Sequence, residues 1–475
     1  MVTAVNKFER AYYSFENIEG VIPQWLKVLQ EVITIKEKME APPSQISNEK
    51  SFLFTHFYSP FLEYSINNIE LFFNKHEEIK DILDVDQYME KFVEELLISL
   101  SVLGNKTLVT ELHVAVSEGT VGGESAEERY YKYHVEYIND EQIFKSILEI
   151  YPVLARTLSE KLISYTEDSI KVLSRYMEDY EEICNTFVFN NPKLLYVDGG
   201  QGDSHNGGQS VKTFQLDSGK IVYKPKSLSI DINFEKFLGW LNSKGLKYDL
   251  KSVDSINKGT YGWQRFLSNY ECENHSQVEN FFYRQGALLS IIYVFKGVDF
   301  HYENLIAYGE YPVLIDLETL FSSIDFFIED LDLDPITLQV QNSVLLNSML
   351  PAFNNSSSDV YDFDLSALGG RGGQISKKTI SYFIKNDGEK GNMKFAKNET
   401  VVADQQNNPI LNGRFQYSEN FVSNIVEGFV DTYHVLLNHK AELIENNGII
   451  DVFNGDTIRH ITRPTAIYSN YLDAA

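Results

Sequence analysis

Two stretches decide how this chain is read: Asp299-Phe300-His301-Tyr302-Glu303-Asn304 and, downstream, Val313-Leu314-Ile315-Asp316. Five positions separate Asp299 from Asn304, and Asp316 closes an apolar run twelve positions further on. Phosphoryl transfer needs one carboxylate to orient the attacking hydroxyl, and an amide and a second carboxylate to hold Mg²⁺ against the phosphates. Asp299 suits the first task, and Asn304 and Asp316 the second. His301 orders the loop or assists proton handling. D-x-H-x-x-N alone is a weak signal. It gains weight from the largely apolar segment 278–295 before it and the strand-like run ending in Asp316 after it. ATP and Mg²⁺ are the expected cofactors.

Working upstream, a hairpin is expected over 211–225, with the turn Asp217-Ser218-Gly219-Lys220. Lys224 ends its second strand, where a kinase places the lysine that pairs the nucleotide phosphates. Lys226 competes, and strand alternation favours Lys224. Phe234, Phe237, Leu238 and Leu241 then repeat at helix spacing, which predicts an amphipathic helix. Glu235 on that helix is the candidate partner for Lys224. The glycine-rich segment 199–208 precedes the hairpin, where a phosphate-covering loop belongs. Gly207 and Gly208 let backbone N–H groups approach phosphate. Asp203 and His205 inside such a loop suggest a second proton-transfer task. A loop cap and a surface histidine are the plainer reading.

Residues 1–190 read as mainly helical, with a capping box at Ser125-Ala126-Glu127-Glu128 and a strand or helix end at 107–112. The segment 322–377 is irregular; it occupies the place of an activation loop or is a surface insertion. Near the end, Arg459-His460-Ile461-Thr462-Arg463-Pro464-Thr465 offers an anion site or a helix cap with solvated arginines.

The 475 residues, 43% hydrophobic and 13% aromatic, suffice for a sizeable core. A net charge of −27 argues against nucleic acid or an anionic membrane as partner. The two cysteines, Cys184 and Cys272, form no CxxC or Cys/His cluster, so neither a zinc site nor a disulfide framework is expected. There is no signal-peptide layout and no transmembrane-length apolar run, so a cytoplasmic location is expected.

Taken together, Gly202-Asp203-Ser204-His205-Asn206-Gly207-Gly208, Tyr223-Lys224-Pro225-Lys226, the segment 299–307 and the segment 312–321 resemble the N-terminal dehydratase portion of class II lanthipeptide synthetases, the LanM type. Segments 127–130, 151–156 and 459–465 add to the likeness, which spans the chain from about residue 50. The resemblance implies an α+β, lipid-kinase-like fold of two lobes. A helical region would cover 1–190, a small lobe 191–260, and a large lobe 261–475 with the insertion 322–377 and a C-terminal elimination segment. It implies ATP-dependent phosphorylation of Ser and Thr in a ribosomal precursor peptide (leader plus Ser/Thr/Cys-rich core), then β-elimination of phosphate to dehydroalanine or dehydrobutyrine. By motif, Lys224, Asp299, His301, Asn304 and Asp316 serve phosphorylation, and Asp203, His205, Arg459 and Thr465 serve elimination. Asp316-Leu317-Glu318 stands where a protein kinase has D-F-G. Members of the family continue into a zinc cyclase whose ligands are absent here, so ring closure is left to a separate or missing cyclase domain. An aminoglycoside, choline or lipid kinase would share D-x-H-x-x-N but would not need His205 or the 459–465 segment. A catalytically dead peptide-binding scaffold would not need Lys224, Asp299, Asn304 and Asp316 together.

Overall fold

The computed structural model describes residues 22–44, 52–205, 209–322, 335–351, 363–385, 393–403, 405–445 and 447–459; for 200–205, 337, 338, 341, 376–385, 395 and 397–400 it describes the backbone alone. The protein is a mixed α+β chain that divides into two compact units, Met1–Val222 with Phe383–Ala396, and Tyr223–Tyr382 with Lys397–Ala475. The division falls inside a strand.

Among the described residues, four long helices build the first unit: α1 (Gln24–Lys38), α2 (Thr55–Lys75), α3 (Val85–Ser117) and α4 (Pro152–Phe187). Asp84 caps α3 by accepting from the Gln87 N–H at 3.1 Å, and proline occupies the first turn of α4, where no donor is lost. The expected strand or helix end at 107–112 is instead the interior of α3, with Leu108, Val109 and Leu112 buried on one face. The capping box is half formed. Ser125 Oγ accepts from the Glu128 N–H at 3.1 Å, but the Glu128 carboxylate reaches back to the N–H of Glu124, one residue early.

A five-stranded sheet runs in the order β1-β2-β3-β5-β4, formed by β1 (Leu194–His205), β2 (Gln209–Leu216), β3 (Gly219–Lys224), β4 (Ser255–Asn257) and β5 (Gly262–Arg265). The hairpin β2–β3 turns at Asp217-Ser218 as expected. The glycine segment is not a loop apart from the sheet: β1 continues through it to His205, which pairs with Gln209. Its glycines admit two register shifts, between Asp198 and Gln201 and between Gln201 and His205.

The second unit gathers its core around α5 (Ser229–Asn242), α6 (His275–Val294) and α7 (Val422–Asn438). Phe234, Phe237, Leu238 and Leu241 are all buried there with Leu288, Ile291 and Ile292. The ribbon β6 (Leu305–Tyr308) with β7 (Tyr311–Leu314) follows α6 and carries the two motif stretches at its ends. Among the described residues no helix is long and apolar enough to cross a membrane.

Candidate active site

Asp299 sits in the left-handed region at φ 61°, a conformation that costs an aspartate energy and recurs at functional loops. Several contacts hold it there. Asn304 Nδ2 donates to the Asp299 carbonyl at 2.8 Å, and the Phe300 N–H donates to the Asn347 carbonyl at 3.0 Å. The Tyr302 N–H donates to Leu365, and His301 bridges Ser366, so the segment 363–370 packs along this loop. The Ile315 N–H donates to the Asn304 carbonyl at 3.0 Å, which sets Asp316, two residues past the end of β7, beside the Asn304 turn. Glu303 N–H points to His301 Nδ1 at 3.3 Å. The neutral ring therefore carries its proton on Nε2, the nitrogen 3.9 Å from Asp299 Oδ1.

Lys224 is 5% exposed and donates its ammonium to the Ile315 carbonyl, next to Asp316. Burial lowers its pKa against the opposing pull of Asp231 and Asp316. Asp231, 3% exposed on α5, is the carboxylate whose charge acts most strongly on Lys224, ahead of Asp316. Gln264 Nε2 donates to its Oδ1 at 2.9 Å, while Oδ2 is buried without a hydrogen bond. Burial raises the Asp231 pKa, and Lys224 and Lys226 act against that rise. Glu235 is not brought to Lys224. It lies one turn further along α5, and its charged neighbours are Asp254 and Lys236. The inward face of the helix selects Asp231.

Asp316 is the centre of a charge network. Burial opposes its ionisation, but the Lys226 and Lys224 ammonium groups outweigh it and hold the carboxyl down to about 2. Lys226 Nζ donates to Asp316 Oδ1 and to Glu318 Oε2, each at 2.7 Å. Glu318 Oε1 accepts from Arg459 at 2.9 Å. Burial raises the Asp299 pKa, with His301 and Arg459 pulling it down. Lys224, Asp299, His301, Asn304, Asp316 and Arg459 thus share one place in the second unit. Asp203 and His205 stand in β1 of the first unit as backbone, and Gly207, Gly208 and Thr465 lie outside the described residues. Asp231 and Glu318 join the cluster without having been picked from sequence, and so does Lys226, which the sequence offered only as the rival of Lys224. The one available signal for them was proximity in sequence to Lys224 and Asp316. Among the described residues no three His, Cys, Asp or Glu side chains form a metal-binding group; Asn304 and Asp316 bring an amide and a single carboxylate.

A family model described as "Domain of unknown function (DUF4135)" matches residues 151–475. The chain belongs to this DUF4135 family. All the candidate residues fall inside the matched segment. Lacticin 481/lactococcin biosynthesis protein LcnDR2 of Lactococcus lactis subsp. lactis is 28% identical over an alignment of 406 residues that covers 81% of this chain and 42% of that protein. The chain therefore spans well under half the length of that relative. The DUF4135 match and this relative bear out the likeness to LanM-type synthetases.

Proposed function

We propose that the protein dehydrates Ser and Thr of a ribosomal lanthipeptide precursor in two steps, phosphorylation by ATP and β-elimination of the phosphate. The observation that carries this reading is that Arg459 pairs with Glu318, two residues past Asp316, and its charge acts on Asp299. A guanidinium at that place suits the charge of a departing phosphate. The name of that relative, a lacticin 481/lactococcin biosynthesis protein, supports a lanthipeptide precursor as substrate.

In the first step Asp299 accepts the hydroxyl proton as the Ser or Thr oxygen bonds to the γ-phosphorus and the bond to the bridging oxygen breaks, releasing ADP. Lys224, held by the Ile315 carbonyl and under the charge of Asp231, meets the phosphates. Asn304 and the ionised Asp316 supply the hard oxygen donors that Mg²⁺ takes, and the bound ion would neutralise the phosphate charge there. In the second step a base takes the α-proton, the C–H pair becomes the Cα=Cβ bond, and the Cβ–O bond breaks with its electrons leaving on phosphate. Asp203 and His205 are the groups we assign to proton transfer, and Arg459 and Thr465 to the departing phosphate. We read β1–β5 with α5, followed by the α6–α7 region, as the lobes of a lipid-kinase-like fold, and place the work in the cytoplasm.

The test is to incubate the protein with Mg·ATP and a Ser/Thr-rich precursor peptide from the same gene neighbourhood and to record the peptide mass. A loss of roughly 18 Da per modified residue is expected, one water for each phosphate added and removed. Phosphate gain without water loss overturns the elimination step. An unmodified peptide, with turnover of an aminoglycoside or a lipid instead, overturns the peptide reading.

A further inference from the structure

Glu318 belongs to neither residue set, yet it is the joint between them. It stands two residues past Asp316 and is mostly buried. Its two carboxylate oxygens are divided between two cations: Oε2 accepts from Lys226 and Oε1 from Arg459, at 2.7 and 2.9 Å. Its main chain is engaged as well. The Glu318 carbonyl accepts from the Arg459 N–H at 2.7 Å, and the Glu318 N–H donates to Asp316 Oδ1 at 3.2 Å. Arg459 is therefore gripped by one residue at both its backbone and its guanidinium, across 141 positions of sequence. The same carboxylate keeps the Lys226 ammonium on Asp316 Oδ1.

Resting on the dehydratase reading, we propose that Glu318 is a positioning residue that fixes Arg459 where its charge reaches Asp299, so that the phosphate placed on the peptide is met by its departing-group cation without being rebound elsewhere. The physical ground is the length of the arginine side chain. A guanidinium on a flexible stem spreads over many rotamers unless a carboxylate of fixed direction holds it. The carbonyl bond to the Arg459 N–H fixes the base of that stem, and Oε1 fixes its tip. Glu318 need not touch the peptide to do this. It acts through Arg459.

The experiment measures the ratio of phosphorylated to dehydrated peptide made by the wild type, Glu318→Gln, Glu318→Asp, Arg459→Ala and the double variant Glu318→Gln/Arg459→Ala. Taken at equal consumption of the starting peptide, that ratio does not depend on how much of a variant is folded. Glu318→Gln is expected to raise it about tenfold, and the double variant to match Arg459→Ala, because the two residues act as a unit. Glu318→Asp, which keeps the charge, restores part of the elimination. Synthetic phosphopeptide given directly is eliminated more slowly by Glu318→Gln than by the wild type. A wild-type ratio from Glu318→Gln, or losses that multiply in the double variant, overturns the proposal while leaving the dehydratase reading standing. A wild-type protein that makes neither product overturns both.

Discussion

Helices α6 and α7 cross at two glycines, and a methyl group at that crossing tests the architecture that delivers the Asp299 loop. A Cβ built on Gly428 would stand 1.9 Å from the Tyr283 carbonyl oxygen and 2.8 Å from its carbon. One on Gly286 would stand 1.9 Å from the carbonyl oxygen of Ile425. These are backbone atoms and cannot swing aside. Real Cβ contacts begin near 3.0 Å, so Gly428→Ala forces the helices apart by about 1 Å or more. Replacing glycine by alanine inside a helix otherwise gains about 1 kcal/mol. Overpacking of this kind costs about 1–3 kcal/mol even where side chains can adjust, and here only the backbone can move. A net loss of about 1–3 kcal/mol is expected, which at about 2–4 °C per kcal/mol lowers Tm by roughly 3–10 °C. Gly239→Ala on α5 is the control, since nothing lies within 4 Å of its Cβ, and it should gain about 0.4–1 kcal/mol. Thermal unfolding of both variants reads the difference. A Gly428→Ala protein as stable as the wild type, with Gly239→Ala behaving as stated, would refute the close backbone approach.

Asp231→Asn should lower ATP-dependent peptide modification by about tenfold or more through loss of Lys224 positioning, whereas Glu235→Gln should change it less than about twofold; initial rates by mass spectrometry separate the two. Arg284 is 4% exposed and donates to Glu310 Oε2 at 2.9 Å and to the Asp249 carbonyl, so Arg284→Met should cost about 3–5 kcal/mol by denaturant unfolding. Burial works to raise the Glu310 carboxyl, but Arg284 and Asn280 outweigh it and hold it below its ordinary value of 4.5. Its contribution is therefore full above pH 4.5 and is lost as pH falls through the lowered value, so wild-type stability should drop more steeply in acid than that of Arg284→Met. Burial, with Glu310 and Glu271, pushes the Cys272 thiol up to about 11, so at pH 8 alkylation should reach Cys272 only after denaturation; labelling of the native protein would contradict its placement.

Local periodicity carried much of the fold. The β2–β3 hairpin is written in its alternation and in Asp217-Ser218-Gly219, and α5 in the spacing of Phe234, Phe237, Leu238 and Leu241, because turn chemistry and helix pitch act over a few residues. The loop from Asp299 to Asn304 and the strand before Asp316 were legible for the same reason, though that strand stops at Leu314, two residues short of the expected end. Where several readings satisfy one local pattern, the sequence stops deciding. A short apolar run such as 107–112 suits a strand or a helix alike, and only its place within α3 chose. Asp231 and Glu235 are one helical turn apart on α5, and either could meet Lys224 by spacing alone; burial against Gln264 decided. Glycines allow a loop, but backbone pairing with β2 kept 200–205 in the sheet. The sequence by itself determined the local elements and the residue types that the proposed phosphoryl chemistry would use. Only the tertiary structure brought Arg459 to Glu318 and Lys226 to Asp316, because contacts across 141 and 90 positions depend on packing of the whole second unit and leave no local pattern to read.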